Sequence, residues 1–288
     1  MVNEKKILKL NVAIIYEEND FEKNKYFANK LIESFYEYKC SPKLFLIKKN
    51  IDNKINLDSF DIIVNRTRLT NFLPKKEEIL IFNEPEFTTM ANNKFETFLW
   101  AKLNKINVLP TQLFNVKNMK NFPFILKEVS SYGGKEVYKI NELIDIDKIN
   151  MINKKYIMQE YLKEGNIDIR VYVMFKKILC SIKRTTNDLN EFRSNFSINK
   201  NAKKFYFSFW QKKEIKKIIK KLPLGFYGID FFIDAKKKLI LNEIEDVVGS
   251  RMIYHLNLKL DIPKLFVKYL LKNIKKVKKQ KNFLKFFN

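Results

Sequence analysis

The sequence predicts an α/β protein in which a parallel α/β unit is followed by two units of antiparallel hairpin and helix. In the first 88 residues, strand-like apolar runs alternate with helical spacing, a pattern typical of a parallel sheet with helical crossovers. Beyond that point, short polar turns separate the apolar runs, which favours hairpins. Hydrophobic residues make up 46% of the 288 residues, enough for a substantial core.

The N-terminal unit is predicted to contain four strands around one helix. The strands lie within residues 8–20, 42–47, 60–68 and 79–85, and the helix spans residues 21–38. The third strand ends with Arg66 and Arg68, at the edge where open α/β sheets bind their ligands. A binding role for Arg66 and a surface salt bridge both remain open.

The middle of the chain is predicted to begin with an amphipathic helix over residues 88–111, capped by Thr88 or Thr89. A strand, a glycine loop and a second strand follow in residues 122–140, and a further strand lies in residues 155–162. A hairpin covers residues 168–185, with its turn near Lys176 and Lys177. The remaining elements are a Lys-rich helix at 211–221, a hairpin at 228–246 and a last helix from Ile262.

The chain carries a formal charge of +24, from 56 basic and 32 acidic residues. Only six of the basic residues are arginine, whereas proteins that read nucleic acid rely on arginine for bidentate contacts. A general lysine bias is therefore favoured, and attraction to nucleic acid or an anionic membrane is the alternative. Two cysteines without a CxxC pair fit a reducing cytosol, and no apolar run is long enough for a transmembrane helix.

Acidic residues are concentrated in the last hairpin, "GIDFFIDAKKKLILNEIEDVVG". If Asp234 pairs with Leu239, Asp230 lies opposite Glu243, and Glu245 projects on the same face. Three converging carboxylates require a cation, and Mg²⁺ with phosphate co-ligands suits them. The alternative is a wet polar face neutralised by nearby lysines.

A second candidate site surrounds Lys127, which ends the buried run "FPFILK" and precedes the loop "SSYGG". Backbone N–H groups of such a loop can approach an anion closely, although a plain hairpin turn gives the same pattern. Lys94, taken alone, resembles a surface lysine.

Three arginines bracket the hairpin at residues 168–185, where Asp168 and Arg170 alternate on one strand. Arg184 ends the return strand and Arg193 follows in "EFRSNF", an arrangement that favours a phosphate or carboxylate clamp over ion pairs alone. The single histidine, His255, excludes a zinc cluster and a Ser–His–Asp triad of the usual kind.

These motifs, in the order "LK…GG…QEYL…DIRVYV…KR…EFRSNF…GIDFF…LNEIE", resemble the ATP-grasp ligases, and most closely the RimK-type carboxylate–amine ligases and their glutathione-synthetase-like relatives. The resemblance covers about residues 60–251. It implies an ATP-grasp fold: an N-terminal α/β domain (1–88) and two α+β subdomains (89–155 and 156–288) that clamp ATP.

The resemblance also implies roles for individual residues. Lys94, Lys127, Glu160, Tyr161 and Asp168 match nucleotide-binding positions, and Ser131, Gly133 and Gly134 match the loop that closes over the phosphates. Arg193, Ser194 and Asn195 match the segment beside the phosphates and acyl substrate, and Arg193 and Arg184 are the implied catalytic residues. Asp230, Glu243 and Glu245 match the ligands of Mg²⁺ or Mn²⁺.

The implied function is a cytoplasmic, ATP- and Mg²⁺-dependent ligase that joins a small-molecule or peptide carboxylate to an amine through an acyl phosphate. No specific nucleic acid partner is expected, and a homo-oligomer is compatible with the sequence. The alternatives are a basic module that binds anionic surfaces, and an ATP-grasp phosphotransferase or pseudoenzyme. Relatives usually carry Asn where this chain has Glu245, and a Gly-Gly pair where it has "SINKN", so the substrate pocket is expected to differ.

Overall fold

The computed structural model describes residues 10–49, 55–119, 121–133, 136–163, 167–185 and 201–285. Its helices are α1 Glu18–Glu37, α2 Pro85–Ala91, α3 Lys94–Leu103, α4 Ile144–Asp147, α5 Phe209–Lys221, α6 Arg251–His255 and α7 Ile262–Lys285. Its strands are β1 Asn11–Glu17, β2 Ser41–Ile47, β3 Ile62–Asn65, β4 Leu80–Phe82, β5 Thr111–Leu113, β6 Phe124–Glu128, β7 Val137–Ile140, β8 Tyr156–Glu160, β9 Ile167–Met174, β10 Lys177–Thr185, β11 Ala202–Lys204, β12 Phe226–Ile233 and β13 Leu239–Glu245.

The backbone divides into two compact units. The first unit comprises residues 1–86, 223–226 and 249–288, and the second unit comprises residues 87–222 and 227–248. The last helix, α7, thus belongs to the same unit as the N-terminal strands. The three-part division at residues 88 and 155 stays a prediction.

The first unit contains the predicted parallel sheet, in the order β2-β1-β3-β4. The two central strands are deeply buried: residues Val12 to Ile15 of β1 and Ile62 to Val64 of β3 have no exposed surface. The apolar side of α1 contributes Phe27, Leu31 and Phe35 to the core. The four strands predicted from the alternating pattern are confirmed.

The second unit contains two antiparallel sheets that carry the candidate site residues. One sheet has the order β5-β8-β6-β7, and the other has the order β11-β10-β9-β12-β13. The core beside the second of these sheets packs Val171, Val173, Ile229 and Phe231 against Ile215 of α5 and neighbouring apolar side chains. Cys180 is buried in this unit, and burial raises the pKa of its thiol to about 12, as expected for a core residue.

The helix predicted over residues 88–111 differs in the structure, which has two helices there. Helix α2 ends at Ala91, and α3 begins at Lys94 with Asn93 as its N-cap. The Asn93 side chain accepts hydrogen bonds from the backbone N–H groups of Phe95 and Glu96, at 3.0 Å each. The prediction that Thr88 or Thr89 caps the helix was wrong, because both lie inside α2 and Asn93 caps the helix that follows.

The last hairpin has the predicted facing pair but a different turn. Ile233, not Asp234, pairs with Leu239, so the turn is one residue longer than expected. A β-bulge between Asp230 and Phe231 then leaves Asn242 as an extra residue and restores the pairing of Asp230 with Glu243. Among the described residues, no helix is both long and apolar enough to cross a membrane.

Candidate active site

The central feature of the second unit is a small polar pocket around Lys127. Strand β6 carries Lys127, and its ammonium donates hydrogen bonds to Gln159 Oε1 of β8 at 2.8 Å and to Asn242 Oδ1 of β13 at 3.0 Å. The other polar side chains that line the pocket include Lys94 and Glu243. The pocket therefore brings together two lysines predicted to bind phosphate and one carboxylate predicted to bind metal.

The Lys127 ammonium is poorly neutralised by the protein. Burial lowers its pKa, Glu243 partly opposes the shift, and the nearby charge of Lys94 lowers the pKa further, to about 8. Its hydrogen-bond partners are amide oxygens, which accept hydrogen bonds but carry no negative charge. An anion beside Lys127 would therefore gain a favourable charge interaction.

Lys94 connects this pocket to the glycine loop. Its Nζ contacts the backbone carbonyl of Ser131 and lies 3.3 Å from Ser131 Oγ, while its backbone N–H donates to the Val129 carbonyl at 3.0 Å. Gly133, two residues later, has a φ of +70°, which only glycine adopts without strain. Lys94 therefore contacts the glycine loop and is not the exposed surface lysine that its neighbours in the sequence indicated.

A larger cavity of ≈ 950 Å³ adjoins the pocket, and both are lined by Phe98, Val108 and Gln159. Glu160 and Tyr161, predicted to hold the adenine, line this cavity, and the Glu160 N–H donates to the Pro110 carbonyl at 3.0 Å. Cavities of this size bind cofactors and small molecules in many proteins.

Beside the pocket, two buried arginines bind three carboxylates. Arg170 donates from Nε to Asp230 Oδ1 at 2.8 Å and from Nη2 to Asp230 Oδ2 at 2.6 Å, and its Nη1 forms an ion pair with Glu245. Arg184 donates to Asp230 Oδ2 at 2.7 Å and forms a bidentate pair with Asp168. We call these five residues the arginine cluster.

The pKa values of the carboxyl groups in the arginine cluster are shifted in opposite directions. Burial would raise the pKa of Asp230, but the two guanidiniums lower it to about 2. Burial raises the pKa of Asp168 and of Glu245, against the lowering effect of Arg184 and Arg170 respectively. Asp230 is therefore the carboxylate most firmly held in its charged form.

The donor chemistry near Glu243 fits a hard cation. The Glu243 carboxylate faces the Lys127 pocket and makes no hydrogen bond or ion pair within the described part of the chain. Oxygen ligands of this kind, completed by phosphate oxygens, are those that Mg²⁺ prefers. Among the described residues, no three His, Cys, Asp or Glu side chains are arranged as a metal site. Joint ligation by Asp230, Glu243 and Glu245 stays a prediction.

Some of the predicted site residues lie outside the described part of the chain, and two hydrogen-bond partners of Lys127 were not predicted. Gly134, Arg193, Ser194 and Asn195 lie outside the described residues. Gln159 and Asn242, the hydrogen-bond partners of Lys127, were absent from the predicted site. Each is an amide that interrupts an apolar strand, in "IMQEYL" and "LILNEIE", and that polar interruption is the signal in the sequence.

In the first unit, the Arg66 side chain packs on two aromatic rings. Its guanidinium lies over the rings of Phe27 and Phe226, at 5.2 and 5.7 Å from their centroids. Its neighbour in the sequence, Arg68, pairs with Asp20 through Nη1 at 3.3 Å. Arg66 thus packs on aromatic rings, and a binding role for it stays a prediction.

The chain belongs to the RimK-like ATP-grasp family, whose model matches residues 102–270. It is 34% identical over 281 residues to the uncharacterized protein MG011 of Mycoplasma genitalium, covering 96% of this chain and 98% of that protein. The fold is that of ATP-grasp ligases. A D-alanine–D-alanine ligase from Bacillus anthracis, solved with ATP, has a TM-score of 0.69 at 10% identity, covering 94% of this chain and 99% of that one.

A second solved structure of similar fold is an ATP-grasp ligase in complex with a variant of its precursor. The ATP-grasp ligase PsnB, solved with a phosphomimetic variant of its minimal precursor, Mg and ADP, has a TM-score of 0.65 at 14% identity. The match covers 93% of this chain and 99% of PsnB. At these identities the likeness is one of fold.

Proposed function

We propose that this chain is an ATP- and Mg²⁺-dependent carboxylate–amine ligase. The observation that carries the proposal is the Lys127 pocket, where a desolvated cation bonded to neutral amides lies beside a cavity large enough for a nucleoside. Membership of the RimK-like family and the ATP complex of the Bacillus anthracis ligase support the same conclusion. Mn²⁺ is the alternative metal.

In the proposed reaction, a substrate carboxylate oxygen attacks the γ-phosphorus of ATP. An O–P bond forms, the bond from the γ-phosphorus to the β,γ-bridging oxygen breaks, and ADP leaves. The amine then attacks the carbonyl carbon of the acyl phosphate, phosphate leaves, and the amide nitrogen loses a proton. Such phosphoryl transfer depends on positioning and charge neutralisation rather than on a protein nucleophile.

The residues have distinct proposed roles in this scheme. Lys127 and Lys94 bind phosphate oxygens, Gln159 and Asn242 orient the Lys127 ammonium, and Glu243 faces the place where a metal would join the phosphates. A bound Mg²⁺ would supply neutralisation of phosphate charge. Arg193 remains the proposed group that stabilises the acyl phosphate. The carboxylate and amine belong to the small-molecule or peptide class, and the D-alanine–D-alanine ligase of similar fold supports a small-molecule substrate.

The test is a screen for ADP release across pooled carboxylates and amines. A ligase releases ADP over many turnovers only when both a carboxylate and an amine are supplied, and mass spectrometry then detects the amide. ADP release that depends on one acceptor and on no amine would identify a phosphotransferase instead. Absence of nucleotide binding would contradict both.

A further inference from the structure

The second unit exposes three large aromatic side chains between residues 206 and 210. Tyr206, Phe209 and Trp210 have 72, 73 and 69% of their surface exposed. The rings of Phe209 and Trp210 meet edge to face, with their centroids 5.5 Å apart, and so form one apolar surface. Single exposed apolar side chains are common, but a group of them marks an interaction site. We call these three residues the aromatic patch.

The neighbouring side chains fix the aromatic patch on the outside of the unit. The Phe205 N–H donates to the Ser181 carbonyl at 2.9 Å, and the Ser181 hydroxyl donates to the Phe205 carbonyl at 2.8 Å. Phe207 is buried in the core beside α5. Ser208 and Gln211 form a reciprocal capping box at the start of α5. Because the residues in between are committed to the sheet, the core and the helix cap, the rings of the patch stay exposed.

Lysine side chains lie beside the exposed rings. Lys204 Nζ is 5.0 Å from the centroid of the Tyr206 ring, and Lys213 Nζ is 5.7 Å from that of the Trp210 ring. Both distances are within the range of cation–π contacts. The patch therefore combines apolar area with positive charge.

Further lysines come from the turn of the last hairpin. The Gln211 side chain donates to the Lys237 carbonyl at 3.0 Å, which places this turn beside the start of α5. Residues 203–217 and 234–238 together contain nine lysines, all of them exposed, and two acids. A general lysine bias accounts for these lysines, but it does not account for the aromatic patch beside them.

The chemistry of this surface favours a membrane that contains anionic lipids over nucleic acid. Aromatic rings with charged neighbours are typical of membrane interfaces, where the rings lie among the headgroups and lysines are attracted to the anionic lipids. Neither lysine-rich segment contains an arginine, whereas readout of bases and bidentate binding of phosphate rely on arginine. A diffuse layer of anionic headgroups requires only point charges, which lysine supplies.

We propose that the aromatic patch and the lysines around it bind the surface of an anionic lipid membrane. The Phe209 and Trp210 rings insert among the headgroups, and the lysines of α5 and of the last turn lie at the level of the lipid phosphates. Within the described part of the chain, none of these side chains lines the Lys127 pocket or the adjoining cavity. The inference is therefore independent of the proposed ligase reaction.

The test is co-sedimentation of the full-length protein with vesicles, either of phosphatidylcholine alone or of an equal mixture with phosphatidylglycerol. The wild type should bind the mixed vesicles and not the neutral ones. Phe209→Ala with Trp210→Ala should weaken binding by about tenfold or more, because binding scales with the apolar area that enters the interface. Leu143→Ala with Ile152→Ala removes two exposed apolar side chains elsewhere in the unit and should leave binding unchanged. Equal losses in the two double variants, or equal binding to both kinds of vesicle, would overturn the proposal.

A second double variant tests the contribution of charge. Lys236→Gln with Lys237→Gln retains the aromatic rings and should weaken binding to the mixed vesicles by about 30-fold, since each lysine close to an anionic leaflet contributes about a factor of five. Binding by the wild type should also fall as the salt concentration rises. Binding that neither the substitutions nor salt affects would contradict the proposal.

The fluorescence of Trp210 reports whether the patch enters the lipid. The chain has two tryptophans, so Trp100→Phe leaves Trp210 as the single one. On the mixed vesicles its emission should shift to shorter wavelength, and vesicles with brominated acyl chains should quench it. Binding with unchanged emission, or binding of polyglutamate or single-stranded DNA but not of vesicles, would overturn the proposal and assign the surface to an acidic polymer. If Trp100→Phe does not fold, the vesicle binding of the two alanine double variants decides the question.

Discussion

Lys127 and Arg170 are both cations withdrawn from water in the second unit, but their partners differ in charge. Lys127 donates to the amides of Gln159 and Asn242, whereas Arg170 donates to the carboxylate of Asp230 and pairs with Glu245. A buried cation that the protein neutralises contributes to a fixed structure, and one that it leaves on neutral acceptors is available for an anionic ligand. Substitutions in the two regions should therefore affect different properties, stability in the first case and binding in the second.

The largest expected effect comes from the arginine cluster. Arg184→Met removes the bidentate partner of Asp168 and one donor to Asp230, leaving buried carboxylates under-neutralised. The free energy of unfolding, measured by urea denaturation, should fall by about 3–5 kcal/mol. Lys183→Met, one position earlier and on the opposite face of β10, is the matched control and should change it by about 0.5 kcal/mol or less. A similar loss in both variants would show that the ion pairs of the arginine cluster contribute no more to the free energy of unfolding than Lys183 does.

A smaller loss of stability is expected at Gly228. In Gly228→Ala, the added Cβ would meet Val248 at 2.8 Å and Arg170 at 3.4 Å, so the side chains must shift. Overpacking of this kind costs about 1–3 kcal/mol. Gly249→Ala is a suitable control, because its Cβ would meet nothing within 4 Å. If thermal unfolding showed equal effects for the two alanines, the close approach of Arg170 to the backbone would be unimportant.

The smallest expected effect is a pH dependence that belongs to the Lys127 pocket. Since burial lowers the pKa of Lys127 to about 8, the ammonium loses its proton as the pH rises through that value. Only the protonated form attracts phosphate, so the affinity for a non-hydrolysable ATP analogue should be highest below pH 8. Above it, the affinity should fall by up to about tenfold per pH unit.

The control for this profile is Lys127→Arg, which stays charged throughout the range. Isothermal titration calorimetry from about pH 7 to 9.5 should give a flatter profile for the variant, whatever its affinity at neutral pH. The same fall in both proteins would assign the pH dependence to another group.

The local sequence predicted the hairpins of the second unit well. The turn at Lys176 and the strand–loop–strand around the glycine loop follow from polar residues between apolar runs, and both are confirmed. The pairing of Asp230 with Glu243 was also correct, although the predicted turn was one residue too short. The bulge that compensates is not visible in the alternation of "LILNEIE", because Asn242 fits an alternating strand equally well.

The partners of the charged residues were harder to predict. Arg184 on β10 donates to Asp230 on β12 across the intervening strand β9. This contact depends on the order of strands in the sheet, which is a non-local property of the fold. Likewise, Lys127 and Asn242 belong to different sheets, and the Lys127 ammonium donates to the Asn242 side chain. The sequence thus identified which charged residues gather in the second unit, but not which of them neutralise one another.

Lys127 is proposed to be a cation that binds an anionic ligand, and one paired measurement tests this role. Wild type and Lys127→Met are titrated with a non-hydrolysable ATP analogue by calorimetry at pH 7, and both are unfolded thermally without ligand. The variant should lose about 10–100-fold in affinity, as expected for a charged hydrogen bond, and should unfold at no lower temperature than the wild type. Unchanged affinity, or a large loss of stability with binding intact, would contradict it.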